Sequence, residues 1–320
     1  MSFQTVTDDS GSRTGTTMPS DGPPVKSMDT SQGTGAQLLR DLLTLTKPRI
    51  VFLILLTATV GYVMGGGHLA GMLLWHNLIG VGLLCAGSAA LNQVMEHDRD
   101  ALMVRTRKRP VAAQRISPTT ASVFGATLTI VGAAWLVATV NWLTAAIGVL
   151  TAITYLAVYT PLKLKTTWSI FFGAVAGSLP PVMGWTAAQG SIGWGAIALF
   201  AIMMVWQVPH SFAIAILYRD DYSHADFAVA ELAKRDEHVL ARQIQLYTLL
   251  MIVLAAAPWA LNLNGMVYLV GAILLGLGFL FVGVPLRRGE ATAYARRVFH
   301  ASLVYLPVLF IWMAVTRSSG

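Results

Sequence analysis

The sequence predicts an all-α, polytopic membrane protein with nine transmembrane helices and a cytoplasmic N-terminus. Three observations carry that expectation. Of 320 residues, 55% are hydrophobic and 12% charged, with a mean hydropathy of +0.62, where a soluble domain has about 45–50% and about 25%. From Pro48 onward, apolar runs long enough to cross a bilayer as helices recur between short polar breaks. The charges fall almost entirely in alternate breaks.

Residues 1–45, which contain TVTDDSGSRTGTTMPSDGPP, show no apolar periodicity. They are expected to form a disordered polar tail, too polar to offset the entropy of ordering. Asp8, Asp9, Asp21 and Asp29 argue against a mitochondrial transit peptide, and there is no early apolar region of the secretory kind. Residues 46–317 are expected to form the transmembrane domain, with spans near 48–65, 72–95, 118–139, 142–160, 168–187, 193–217, 241–262, 266–285 and 298–316. Breaks after odd-numbered spans are tiny and those after even-numbered spans longer, which predicts helix hairpins whose functional segments gather on one side. Gly61, Gly65, Gly66 and Gly67, and Gly271, Gly276 and Gly278, read as close-packing positions.

Of the 22 Lys and Arg, five lie between Arg13 and Arg49, six at 99–115, two at 163–165, four at 219–242 and four at 287–297; Arg317 alone falls on the opposite side. The positive-inside rule therefore puts the N-terminus and the longer connections in the cytoplasm and the C-terminus outside. The net charge of +7 thereby belongs to a membrane face, and no nucleic-acid partner is expected. All 15 acids lie on the same inner side or in the tail. A secondary transporter would instead hold ionisable residues near the bilayer midplane. The lone Cys85 excludes a disulfide framework, a paired-Cys metal site and an internal redox couple.

Two acidic clusters follow the second and sixth spans. In the first, Asn92, Glu96 and Asp100 stand at i, i+4 and i+8, so one helix face carries an amide oxygen and two carboxylates, drifting by about 40° per step. Such a face suits Mg²⁺, which takes oxygen ligands and bridges one or two carboxylates to substrate phosphates. Arg105, Arg107, Lys108 and Arg109 follow at once, so metal face and basic loop together read as a diphosphate site. In the second cluster Tyr218, Asp221 and Tyr222 share a helix face, with Asp220 and His224 on a neighbouring one. Two such segments on one membrane face suit two Mg²⁺ ions around one diphosphate. Asp226, Glu231, Asp236 and Glu237 read as a solvated loop.

The run Ala89-Ala90-Leu91-Asn92 through Glu96, Asp100-Ala101-Leu102-Met103, Arg105-Thr106 and Arg109-Pro110 resembles the first signature of the UbiA-type intramembrane prenyltransferases, with Glu96 where the superfamily usually has Asp. Tyr159-Thr160-Pro161-Leu162-Lys163, Gly173 to Trp185 and Trp206-Gln207-Val208-Pro209-His210-Ser211-Phe212 resemble the branch that modifies heme rather than quinones. The resemblance covers about residues 45–315 and leaves out the tail. It implies transfer of the farnesyl group of farnesyl diphosphate to the 2-vinyl group of heme b, with water adding, in a bacterial inner membrane. Heme b is then a substrate and not a cofactor, Mg²⁺ the metal, and a heme A synthase or terminal oxidase assembly the downstream partner. With that resemblance, Asn92, Glu96, Asp100 and Asp221 are expected as metal ligands, Arg105, Arg109 and Lys163 as diphosphate contacts, and His210 and His97 as heme contacts. Arg107 and Lys108 are expected to be positive-inside charges only.

Overall fold

The computed structural model describes residues 35–234, 237–284 and 291–318. The expected tail up to residue 34, and Asp236 of the expected solvated loop, lie outside these residues. The tail reading fails for its last part. Gly35–Leu45 is a helix, α1, in which Asp41 and Leu45 are buried. Its carboxylate Asp41 meets Arg115 with Nη2–Oδ1 at 2.9 Å, a partner 74 residues away that no local pattern reveals.

Every regular element is helical among the described residues. The helix α2 (Pro48–Met64) leaves α1 at 47°. The turn is made by Lys47 at φ 51°, in the left-handed region, and Pro48 starts α2 at a position where its missing N–H costs nothing. There follow α3 (Met72–Met95), the short α4 (His97–Leu102) and α5 (Pro118–Thr139). Ser117 caps α5 by accepting from Thr120 N at 3.1 Å, and Asn141 caps α6 (Trp142–Ile153) by accepting from Thr144 N at 2.8 Å. The α6 helix runs through a π-helical turn, Thr154–Tyr159, into α7 (Thr160–Leu162). Next come α8 (Ser169–Gln189), α9 (Trp194–Leu217), α10 (Arg219–His224) and α11 (Ala230–Ala233). The chain closes with α12 (Glu237–Ala255), α13 (Ala257–Ala260), α14 (Met266–Val282) and α15 (Ala291–Val315).

Seven helical segments are long and apolar enough to cross a membrane; the bent pair α1–α2 adds an eighth if it counts as one span, and α14 is a shorter apolar helix of 17 residues. The molecule is thus a polytopic, all-helical membrane protein. Trp142 and Trp194 stand exposed at helix starts, where indole rings suit the membrane–water interface.

The α8 helix is the most enclosed span, packed between α2, α9 and α6. Its contact with α2 is glycine-made. A Cβ on Gly61 would lie 1.9 Å from Pro181 O, and one on Gly184 1.9 Å from Ala58 O. In lipid, where apolar burial between helices gains little, such close backbone approach supplies the packing. Gly278, expected to pack closely, has nothing within 4 Å of its Cβ position and is exposed.

The short connections meet at one end of the bundle, where Gln189 Nε2 donates to Gly65 O and Ser318 N to Leu263 O. The longer, charged ones at 45–47, 96–117, 163–168 and 218–229 meet at the other. There Gln93 Nε2 donates to Leu45 O at 3.0 Å and Ala228 N to Lys163 O at 2.9 Å. Residues of these connections, among them Lys47, Arg105, Lys163 and Phe227, line the cavity described next. Gly184→Ala is expected to destabilise the protein by about 1–3 kcal/mol through overpacking, seen as a lower melting temperature in detergent, with Gly278→Ala unchanged; equal melting of the two variants would contradict the packing argument.

Candidate active site

Asn92, Glu96 and Asp100 are 2%, 6% and 1% exposed. Although the helix breaks at Glu96, the i to i+4 ladder runs on, with Glu96 N donating to Asn92 O at 3.1 Å and Asp100 N to Glu96 O at 2.8 Å. The spacing read from the sequence therefore survives the break, and all three side chains line one cavity of about 430 Å³. Lys47, Arg105, Arg109 and Lys163 share its polar end, while Ile54, Leu84, Ile170 and Gly177 line apolar wall.

Each carboxylate has a cation. Arg109 Nη1 binds Asp100 Oδ1 at 2.8 Å and Oδ2 at 2.6 Å, and Lys163 Nζ pairs with Glu96 Oε1. Unpaired, these buried charges would cost several kcal/mol each. Asn92 Oδ1 accepts from Lys47 Nζ and from Tyr155 OH, both at 3.0 Å, while its Nδ2 donates to Thr160 Oγ1 at 3.1 Å. Burial, then the neighbouring Arg109 charge, pushes the Lys47 ammonium down to about 7, from which an incoming anion would raise it.

The π-helical turn explains the aromatic wall. Its extra residue per turn brings Tyr155 and Tyr159 to the cavity, stacked with centroids 5.7 Å apart, and Thr160 Oγ1 donates back to Tyr155 O at 2.8 Å. Such turns inside α-helices recur at functional sites. Lys163 then lies 4.9 Å from the Tyr159 ring centroid and 5.2 Å from that of Phe227, a cation held over two ring faces.

Asp221 sits elsewhere than the metal reading expects. Its Oδ1 accepts from Val104 N at 3.0 Å and its Oδ2 from Arg105 N at 3.3 Å, and it is absent from the cavity lining. The shared face of α10 is real, but it grips the 103–109 loop. Arg105 stacks 4.5 Å from the Tyr218 ring centroid and donates to Tyr222 OH at 3.4 Å. Burial raises the Tyr222 phenol above its ordinary range, so it stays protonated. Among the described residues no three His, Cys, Asp or Glu side chains cluster tightly enough to hold an ion alone. Two carboxylates and an amide oxygen are a set that fits Mg²⁺ when phosphate oxygens complete the shell.

The two histidines part company. His210 lines the cavity, whereas His97 turns to Val94 O at 2.8 Å and Asp98 at 3.2 Å and does not. Arg107 and Lys108 are exposed, as are Asp226 and Glu231. The pattern-based reading missed Lys47 and Tyr155, both of which line the cavity; Pro48, a helix-starting residue, was the one signal available for the first.

An all-helical membrane bundle with paired carboxylates and cations at the head of an apolar cavity defines an enzyme of prenyl diphosphates as its class. The chain belongs to the UbiA prenyltransferase family, whose profile matches residues 54–314. It is 39% identical over 289 residues to a protoheme IX farnesyltransferase of Solibacter usitatus, covering 87% of this chain and 99% of that one. A protoheme IX farnesyltransferase of Koribacter versatilis is 39% identical over 294 residues, covering 88% and 95%. Among solved structures, a digeranylgeranylglyceryl phosphate synthase superposes with a TM-score of 0.72 at 16% identity, covering 88% of this chain and 98% of that one. A UbiA homologue from Archaeoglobus fulgidus bound to GPP and Mg²⁺ gives 0.61 at 15%, covering 86% and 99%. At such identities these two show the fold.

Asp221→Ala removes both loop acceptors. Hydrogen exchange at the Val104 and Arg105 amides is expected to quicken by about tenfold or more with α3 unaffected; unchanged protection would mean the loop is held by something else.

Proposed function

We propose that this protein transfers the farnesyl group of farnesyl diphosphate to the 2-vinyl group of protoheme IX, with addition of water, giving heme O. The observation that carries the reading is the pairing of two buried carboxylates, Glu96 and Asp100, with Lys163 and Arg109 at the head of an apolar cavity. The relatives named protoheme IX farnesyltransferase support the choice of acceptor.

Asn92, Glu96 and Asp100 are the proposed oxygen ligands for Mg²⁺. When bound, the metal neutralises diphosphate charge as the allylic C–O bond ionises. Arg109 and Lys163 then exchange their carboxylates for phosphate oxygens, and Arg105 and Lys47 add charge from the loop and the α1–α2 kink. Asp221 acts as a positioning residue, fixing the loop that carries Arg105 and Arg109. The buried walls keep bulk water from the farnesyl cation until the vinyl π pair attacks its C1. The new C–C bond leaves a cation on the vinyl carbon next to the ring; water adds there and loses a proton, giving the hydroxyethylfarnesyl group. No side chain is needed as a nucleophile.

The topology belongs to the same proposal. Nine spans place the N-terminus and the charged connections in the cytoplasm of a bacterial inner membrane, with the C-terminus outside. The convergence of the charged loops on one end of the bundle supports it. A heme A synthase or an oxidase assembly would take up the product.

Hemes extracted from a host that lacks heme O synthesis but expresses this chain should include a heme b derivative heavier by one farnesyl group and one water. Asp100→Asn should lower its yield about a hundredfold or more, and in membranes EDTA should stop turnover with Mg²⁺ restoring it. Unmodified heme b from folded, membrane-inserted protein would overturn the acceptor assignment.

A further inference from the structure

The cavity lining includes an imidazole for which the diphosphate chemistry has no use, His210 on α9. Its ring is sandwiched, 4.9 Å from Trp206 at 19° and 5.2 Å from Phe299 at 25°. Its Nδ1 lies 2.7 Å from Ser302 Oγ on α15. Ser302 has a single proton, and its hydroxyl donates it to Phe299 O at 2.7 Å. A hydroxyl already donating can only accept from the ring, so Nδ1 carries the hydrogen and Nε2 the lone pair. With both ring faces and Nδ1 covered, the edge bearing Nε2 is what remains to line the cavity. Among the described residues Nε2 has no hydrogen-bond partner. Trp206 Nε1 donates to Ser302 O at 3.0 Å and locks the stack to α15.

A half-buried imidazole lone pair facing a cavity is free to take a ligand that enters it. An imidazole whose other nitrogen donates to a fixed acceptor, with its ring plane clamped, is the arrangement that metal-binding histidines adopt. Resting on the reading of heme as acceptor, we propose that His210 Nε2 is an axial ligand to the iron of the bound heme, with Ser302 as the positioning residue that sets its tautomer. Iron ligation at His210, on α9, would fix the macrocycle in the same cavity that holds the proposed diphosphate site, restricting which ring edge reaches the farnesyl C1.

The test is resonance Raman spectroscopy of ferrous heme b bound to the purified full-length protein in detergent. An iron–imidazole stretching band is expected, shifting with ¹⁵N-histidine labelling, lost in His210→Gln, kept in His97→Gln and restored to His210→Gly by free imidazole. Ser302→Ala should move the band and weaken heme binding about tenfold, and Ser302→Thr should reverse both. If the His210 variants fail to accumulate, the Ser302 pair decides: a band that does not move in Ser302→Ala overturns the proposal. Protein that makes heme O without such a band, or a band that survives in His210→Gln, overturns the ligation and leaves the proposed function standing. Protein that neither binds heme nor prenylates it overturns both.

Discussion

Two ion pairs, Lys163–Glu96 and Arg109–Asp100, are the constraint on which the charged end of this molecule depends. A carboxylate that is 1% exposed in an otherwise apolar bundle persists only with a cation and hydrogen bonds around it. The acids come from the end of α3 and from α4, but the cations come from the 103–109 loop and from the end of α7. Satisfying the charges therefore ties separate connections together. Asp221 extends the tie to α10 through the Val104 and Arg105 amides, and Asp41 extends it to α1 through Arg115. There the hydrogen-bonded Arg115 guanidinium holds the Asp41 carboxyl below its ordinary range.

The same pairs suit the proposed chemistry because they are exchangeable. Four charges that neutralise one another can be re-sorted, acids to a divalent cation and bases to a diphosphate, without leaving any of them alone in a low-dielectric space. The cost of separating each pair is offset by partners of the same sign and comparable geometry. The apolar cavity beyond the charges provides what a prenyl chain and a flat macrocycle both need, and the π-helical turn supplies its tyrosine wall. The glycine contacts between α2 and α8 keep that scaffold tight where lipid offers no hydrophobic drive.

Much of this was legible before any coordinates. A helical membrane bundle was legible by hydropathy, with seven helical segments among the described residues long and apolar enough to cross a membrane. Asn92, Glu96 and Asp100 were legible because a helical period encodes a face, and Arg109 because it follows that face at once in the chain, whereas Lys163 was reached only through the family resemblance. The face that Asp221 shares was legible, but its contact with the Val104 and Arg105 amides was not: periodicity states which residues share a face and not what the face meets. Lys47 and Tyr155 depend on a left-handed kink and a π-helical turn, neither of which has a period to read. The helix at Gly35–Leu45 was hidden for the same reason, since what holds it is an arginine 74 residues away.

The exchange of partners is most directly tested by measuring how an unreactive thiodiphosphate analogue of farnesyl diphosphate binds to the wild type and to Glu96→Gln, with and without Mg²⁺. Removing the carboxylate frees Lys163 and removes a negative charge, so metal-free binding should tighten in the variant while Mg²⁺-dependent binding weakens. A variant that binds more weakly under both conditions, or as well as wild type under both, would contradict the account.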